Sequence, residues 1–230
     1  MHGGDRSTAV DTDHRAAKPY RTAAVLSGGA GTRIGGREKG LLPLGSSTFI
    51  EKKIADLAGI FDSVLVVTAR PGVYRFLRGG TGPRVRVVED LVEGMGALGG
   101  IYTALRAASE EAAGTSAEGE AGPVFVTTSD TPFLSPGLAA ILFDEALAGG
   151  FDVFIPRWNG MIEPLCGTYS PRCIPGIEEI LPQRKIRLFY PRVRTGYLPE
   201  ERVREIDPEG RSFININTEE DYRRYIGAAL

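Results

Sequence analysis

The chain has 230 residues, 42% of them hydrophobic, and balances 27 Lys and Arg against 29 Asp and Glu. That length suits a single α/β domain, and the apolar share excludes a wholly disordered chain. A formal net charge of −2 leaves no bulk footprint for nucleic acid or an anionic membrane, and two cysteines exclude a disulfide framework.

In chain order, residues 1–20 are polar and aperiodic, so they are expected to form a disordered leader. His2 and His14 both fall there, which removes histidine-based nucleophilic or metal chemistry from the body of the chain. No apolar core of a secretory signal and no run of roughly 18 apolar residues is visible, so a cytoplasmic protein is expected. From residue 21 onward, short apolar runs alternate with amphipathic ones. Strands are predicted at 22–27 (TAAVLS), 63–68 (SVLVVT), 85–89, 123–128 (PVFVTT) and 152–156. Helices are predicted at 48–58, 72–77 (short), 99–111 and 136–148. Residues 112–122 read as a loop of small residues, and 166–169 as one further strand, parallel or antiparallel. Thr218, followed by two glutamates and an aspartate, reads as the N-cap of a last helix. The alternation predicts one domain over 21–230, with a mainly parallel sheet covered on both faces and ligands at the carboxyl ends of its strands. Cys166 and Cys173 lack CxxC spacing and read as reduced, structural thiols.

The loop after the first strand is Leu26-Ser27-Gly28-Gly29-Ala30-Gly31-Thr32-Arg33. Glycines let a backbone approach a ligand closely, and successive N–H groups can then point at an anion. Arg33 and Lys39 add full positive charge beyond it. The loop is neither a Walker loop nor GxGxxG, and taken alone a ligand-free tight turn is an equal reading. Asp130, between an apolar strand and Pro132, places a carboxylate where a phosphate-bound Mg²⁺ would lie, or serves as a turn residue. Asn215 and Asn217 alternate in FININT and would share one face of a strand. Gln183-Arg184-Lys185-Ile186-Arg187 gathers three cations, either an acceptor clamp or a solvated surface.

The longer string LSGGAGTRIGGREKGLLPLGSSTFIEKKI, residues 26–54, resembles the signature of nucleotidyltransferases with a pyrophosphorylase-type fold. Its glycine pairs and Lys39-Gly40-Leu41-Leu42 look most like the molybdenum cofactor guanylyltransferase (MobA-like) family. Four further segments are similar to family elements: Val88-Glu89-Asp90, Gly94 to Ile101, Thr128 to Phe133, and Phe213 to Glu220. Ala97 stands where the family has proline, Thr68 where asparagine is common, and Ser27 where alanine is usual.

The resemblance implies a three-layer α/β/α, Rossmann-like nucleotidyltransferase fold and transfer of GMP from GTP to molybdopterin with release of pyrophosphate. It implies catalytic roles for Arg33, Lys39 and Asp130, and Mg²⁺ held by Asp130 and Asn217. Nucleotide contacts are implied at Leu26, Ser27, Gly28, Gly29, Gly31, Thr32, Lys39, Thr68, Asp90, Leu98, Gly99 and Asp130. Acceptor contacts are implied at Glu163, Arg184, Lys185 and Asn215. The acceptor phosphate would attack the α-phosphorus in line, with no protein nucleophile. A monomer or weak oligomer is expected, in transient contact with cofactor-biosynthesis proteins or target molybdoenzymes. Rival readings are a relative using CTP or another NTP, with a sugar phosphate or phospholactate acceptor, and a non-catalytic nucleotide-binding protein.

Overall fold

The computed structural model describes residues 20–28, 33–34, 36–77, 83–92, 94–114 and 121–227, the side chains of Arg33 and Gly114 excepted. The leader at 1–19, Gly29, Gly31, Thr32 and residues 115–120 of the small-residue loop lie outside the described residues.

Among the described residues eight strands form one sheet: β1 (Thr22–Leu26), β2 (Ser63–Thr68), β3 (Arg84–Glu89), β4 (Val124–Thr128), β5 (Val153–Trp158), β6 (Met161–Ile162), β7 (Gly167–Tyr169) and β8 (Thr195–Leu198). β1 pairs in parallel with β2 and β4, and β2 with β3; Ala24 lies opposite both Leu65 and Val126. β7 runs antiparallel between β4 and β5, and β8 pairs in parallel with β5, whose other partner is the short antiparallel β6. The sheet is therefore mainly parallel, as the alternation of elements predicts.

Period-two alternation sends successive residues of β1 to opposite faces. Ala23 and Val25 pack with Ile50 and Leu57 of α1 (Phe49–Ala58) and with Leu138, Leu142 and Phe143 of α3 (Pro136–Gly149). Ala24 and Leu26 pack with Ile101 and Leu105 of α2 (Gly96–Gly114) and with Ile177 of α4 (Ile174–Ile180). Both faces are covered, so β1 and β2 are buried along their whole length and apolar except for Thr22, Ser63 and Thr68 at their ends, while the edge strand β3 is only half-buried. Each fully buried Leu or Phe in these clusters contributes about 1.5–3 kcal/mol.

Helix starts follow local chemistry. Thr48 caps α1 and exchanges bonds with Glu51, whose carboxylate accepts from Thr48 N at 2.8 Å. Ser135 caps α3 with Pro136 at its first position, and Gly150, left-handed at φ 60°, closes the other end. After α5 (Glu200–Ile206), Thr218 and Asp221 form the same reciprocal cap on α6 (Glu219–Ile226). Two readings change. The α2 helix begins at Gly96 and runs through residues 112–114, because an alanine-rich stretch continues a helix at no propensity cost. Of FININT, Phe213 closes a 3₁₀ turn and the rest joins no ladder; Ile216 N donates to Asp130 O at 2.9 Å, with Ile216 buried and Asn215 and Asn217 exposed.

β1 is flanked by β2 on one side and β4 on the other, so the chain's crossovers diverge there. That switch point opens a crevice at the strands' carboxyl ends. Among the described residues no helix is long and apolar enough to cross a membrane.

Candidate active site

The crevice is a cavity of about 550 Å³, bounded by Leu26, Ser27 and Gly28 after β1, Lys39, Asp90, Gly96, Ala97 and Gly100 of α2, and Ser129 and Asp130 after β4. Pairing continues past the strand ends: Ser27 N donates to Val67 O at 2.8 Å and Ser129 N to Leu26 O at 3.0 Å. Both loops thus leave the sheet from fixed points.

Lys39 opens a short 3₁₀ turn, Lys39–Leu41, and its ammonium reaches two distant segments. Nζ donates to Asp130 Oδ2 at 3.2 Å and to Asn217 Oδ1 at 2.5 Å. Three residues singled out in the sequence therefore meet at the Lys39 ammonium, and two of them, Lys39 and Asp130, line the cavity. The other carboxylate oxygen, Asp130 Oδ1, is buried with no hydrogen-bond partner among the described residues. A buried, unpartnered carboxylate oxygen is costly unless something binds it. It is the kind of hard donor a divalent cation takes, and the Asn217 amide oxygen, bound to the same lysine as Asp130, is another. Among the described residues no cluster of three His, Cys, Asp or Glu exists. The donor set thus fits a cation such as Mg²⁺ that completes its shell with substrate phosphates and water.

Beneath Lys39 lies a chain of hydroxyls that the sequence did not reveal. Ser27 Oγ donates to Ser129 Oγ at 2.9 Å, so Tyr74 Oη, 2.5 Å from Ser27 Oγ, is the donor to it. Tyr74 comes from the short 3₁₀ segment Pro71–Leu77 and is fully buried; burial pushes its hydroxyl above its ordinary pKa, so it stays neutral. A Cβ at Gly40 would sit 2.5 Å from Tyr74 Oη and 3.0 Å from Ser27 Oγ. Only glycine fits there, and the backbone carrying Lys39 is set down directly on the hydroxyls.

A second unforeseen group is Lys53 of α1, fully buried, which donates to the carbonyl of Thr131 and to Thr131 Oγ1 at 3.1 Å. Burial pulls its ammonium down to about 8, against the attraction of Cys166, Asp56 and Asp130. A lone lysine in an amphipathic helix reads as a solvated charge, so no sequence signal marked it.

On the opposite wall Asp90 faces the cavity. Its Oδ1 accepts from Thr103 Oγ1 at 2.9 Å and from Val92 N at 3.2 Å, and Thr103 Oγ1 in turn accepts from Leu91 N at 3.0 Å. The remaining sequence candidates are placed as follows. Thr68 is buried at the end of β2 and its hydroxyl accepts from Arg70 N at 3.1 Å. Leu98 is buried in the core, and a Cβ on Gly99 would meet Met95 Cβ and Val92 O at 3.0 Å; their neighbours Gly96, Ala97 and Gly100 face the cavity instead. Glu163 is half-buried two residues before Leu165, which lines the cavity, and burial raises its carboxyl. Asn215 Nδ2 donates weakly to Phe213 O at 3.4 Å. Arg184 and Lys185 are exposed in a turn after α4, Arg184 at φ 55°, and neither lines the cavity. Gly29, Gly31, Thr32 and the Arg33 side chain lie outside the described residues.

A lysine and an unpartnered carboxylate oxygen at the switch point of a parallel sheet suit phosphoryl transfer, the chemistry of nucleotide-handling α/β enzymes. A family model described as "MobA-like NTP transferase domain" matches residues 23–195. The chain is 32% identical over 220 residues, 92% of each chain, to a protein of Methanosarcina mazei named "Probable molybdenum cofactor guanylyltransferase". It is 35% identical to one of the same name from Methanothermobacter thermautotrophicus, over 88% of this chain and 97% of that protein. The crystal structure of molybdopterin-guanine dinucleotide biosynthesis protein A from Archaeoglobus fulgidus superposes with a TM-score of 0.71 at 28% identity, covering 90% and 97% of the two chains. The chain belongs to the MobA-like NTP transferase family and is a nucleotidyltransferase.

Proposed function

We propose that this enzyme transfers GMP from GTP to molybdopterin and releases pyrophosphate. The observation that carries the reading is that Lys39, on the wall of the switch-point cavity, holds both Asp130, which lines the cavity with it, and Asn217. The names of the relatives supply the nucleotide and the acceptor. Asp90 offers the nucleotide its second oxygen, Oδ2, which can accept from a guanine N1–H or 2-amino group or from a ribose hydroxyl. With Oδ1 already committed to Thr103 and Val92, the carboxylate is held in one orientation.

In this reading the backbone of the glycine-rich sequence at residues 28–31 and Arg33 hold the triphosphate, while Lys39 neutralises charge building on the α-phosphate and the leaving pyrophosphate. Asp130 and Asn217 hold Mg²⁺, which supplies charge neutralisation across phosphate oxygens. An acceptor phosphate, oriented near Glu163 and Asn215, attacks the α-phosphorus in line. Arg184 and Lys185 are left for the far end of the acceptor. Residues 21–230 act as one domain, in the cytoplasm.

The test is pyrophosphate release with Mg²⁺, molybdopterin and each of GTP, ATP, CTP and UTP in turn. Only GTP with acceptor is expected to support turnover, and Lys39→Ala to lower kcat by about 10²-fold or more, the scale on which a group stabilising transition-state charge acts. Turnover with CTP in preference to GTP, or an unchanged rate in Lys39→Ala, overturns the assignment.

A further inference from the structure

Burying a lysine is expensive, since an ammonium loses its hydration and three donors need acceptors. Lys53 nevertheless has no exposed surface, and the residues one turn before and after it on α1, Ile50 and Leu57, belong to the core. A methionine or leucine would fill that volume without the desolvation cost, and replacing buried charge by apolar groups of similar size is often neutral or stabilising. Core stability therefore does not account for the residue.

The partners of Lys53 do account for it. Two bonds from its ammonium end on one residue, at the carbonyl and hydroxyl of Thr131, and Thr131 Oγ1 donates back to Thr128 O at 3.1 Å. The turn after β4 is thereby held from three directions. Ser129 N is tied to β1 through Leu26 O at 3.0 Å, Asp130 O accepts from Ile216 N at 2.9 Å, and Thr131 is tied to α1 by Lys53. Asp130 lies between these anchors with Oδ2 on Lys39 and Oδ1 unpartnered. With the peptide units on both sides of it fixed, few directions remain for its side chain.

We infer that Lys53 is a positioning residue: by clamping Thr131 it fixes the turn that carries Asp130 and aims the open carboxylate oxygen at a divalent cation. The inference rests on the reading of Asp130 as a ligand of that cation. Lys53 touches neither nucleotide nor acceptor in this account, and its effect reaches the site only through the backbone of residues 130 and 131.

The test uses the full chain with Lys53→Met, Thr131→Val and Thr131→Ser. Mn²⁺ binding in the presence of GTP is followed by electron paramagnetic resonance, and thermal melting is recorded alongside. Lys53→Met is expected to melt somewhat below the wild type, because the buried oxygens of Thr131 lose their donor, yet to fold and to bind Mn²⁺ about 10-fold or more weakly, as for other changes that disorient a metal ligand from behind. Thr131→Val, which deletes the hydroxyl at constant volume, is expected to weaken Mn²⁺ in the same sense, and Thr131→Ser to restore it. Wild-type Mn²⁺ affinity in a folded Lys53→Met, or in Thr131→Val should Lys53→Met fail to fold, removes the positioning role. A wild-type protein that takes up no Mn²⁺ with GTP brings down the reading of Asp130 itself, and the inference with it.

Discussion

Gly40 shows how one backbone position can hold a site together. It has no positive φ to justify it; what it needs is space, because any Cβ meets the fully buried Tyr74 hydroxyl at 2.5 Å. Tyr74 cannot swing away, being packed on all sides, so the peptide next to Lys39 would have to move instead. Gly40→Ala is expected to cost about 1–3 kcal/mol, the usual range for overpacking, and to reduce activity as Lys39 is pushed off Asp130. Removing the obstructing oxygen should recover part of both losses, so the double variant Gly40→Ala with Tyr74→Phe is expected to be more stable and more active than Gly40→Ala alone. Chemical denaturation and the pyrophosphate assay measure the two effects. A double variant that merely adds the two single losses would show that the clash is not between these groups.

At the scale of elements, α6 does more than close the chain. Its cap holds the residue that precedes it: Asp221 Oδ2 accepts from both Asn217 N at 3.0 Å and Thr218 N at 2.9 Å, while Thr218 Oγ1 accepts from Asp221 N at 3.0 Å. Asn217 then presents its amide oxygen to Lys39. Helix start and site are one construction, so Thr218→Ala is expected to lose about 1 kcal/mol of stability, the typical worth of an N-cap, and also to raise the Mg²⁺ concentration needed for turnover. A fall in the urea midpoint at unchanged m-value, together with a shifted metal dependence, is the expected pair of results. Lost stability with an unshifted metal dependence would separate the cap from the site.

Across the whole molecule, the two thiols report on global packing. Cys166 and Cys173 are buried in the two clusters on opposite faces of the sheet, and burial pushes both up to about 12 from an ordinary value near 9. At pH 8 their thiolate fraction is on the order of 10⁻⁴, so the folded protein is expected to resist alkylation while the unfolded chain reacts at both positions. The sign for stability follows from proton linkage. The folded state keeps protons that the unfolded state releases above pH 9, so this contribution is fully present below pH 9 and is lost as the pH climbs from 9 towards 12. Denaturant midpoints recorded between pH 7 and 11 should therefore fall at the alkaline end, and less steeply in Cys166→Ala. Rapid labelling of either thiol in the native protein at pH 8 contradicts this packing.

The sequence by itself determined the layered α/β architecture, because apolar runs of β1, β2 and β4 have the length and composition of strands covered on both faces. It also marked Lys39, Asp130 and Asn217, since charged and amide groups stood at strand ends within a long family-like pattern. Short irregular pieces escaped it: β6 and β8 carry too few residues for a period to show, and α5 is a seven-residue helix without a side-chain cap. Tertiary structure alone decided which groups lie behind the site. Tyr74 and Lys53 are ordinary members of helical segments until the sheet brings Ser27 and Thr131 against them, because hydrogen bonds between residues 47 and 78 positions apart leave no local periodicity. The same is true of the buried oxygen of Asp130, whose want of a partner among the described residues is a property of the packed turn and not of the residue type.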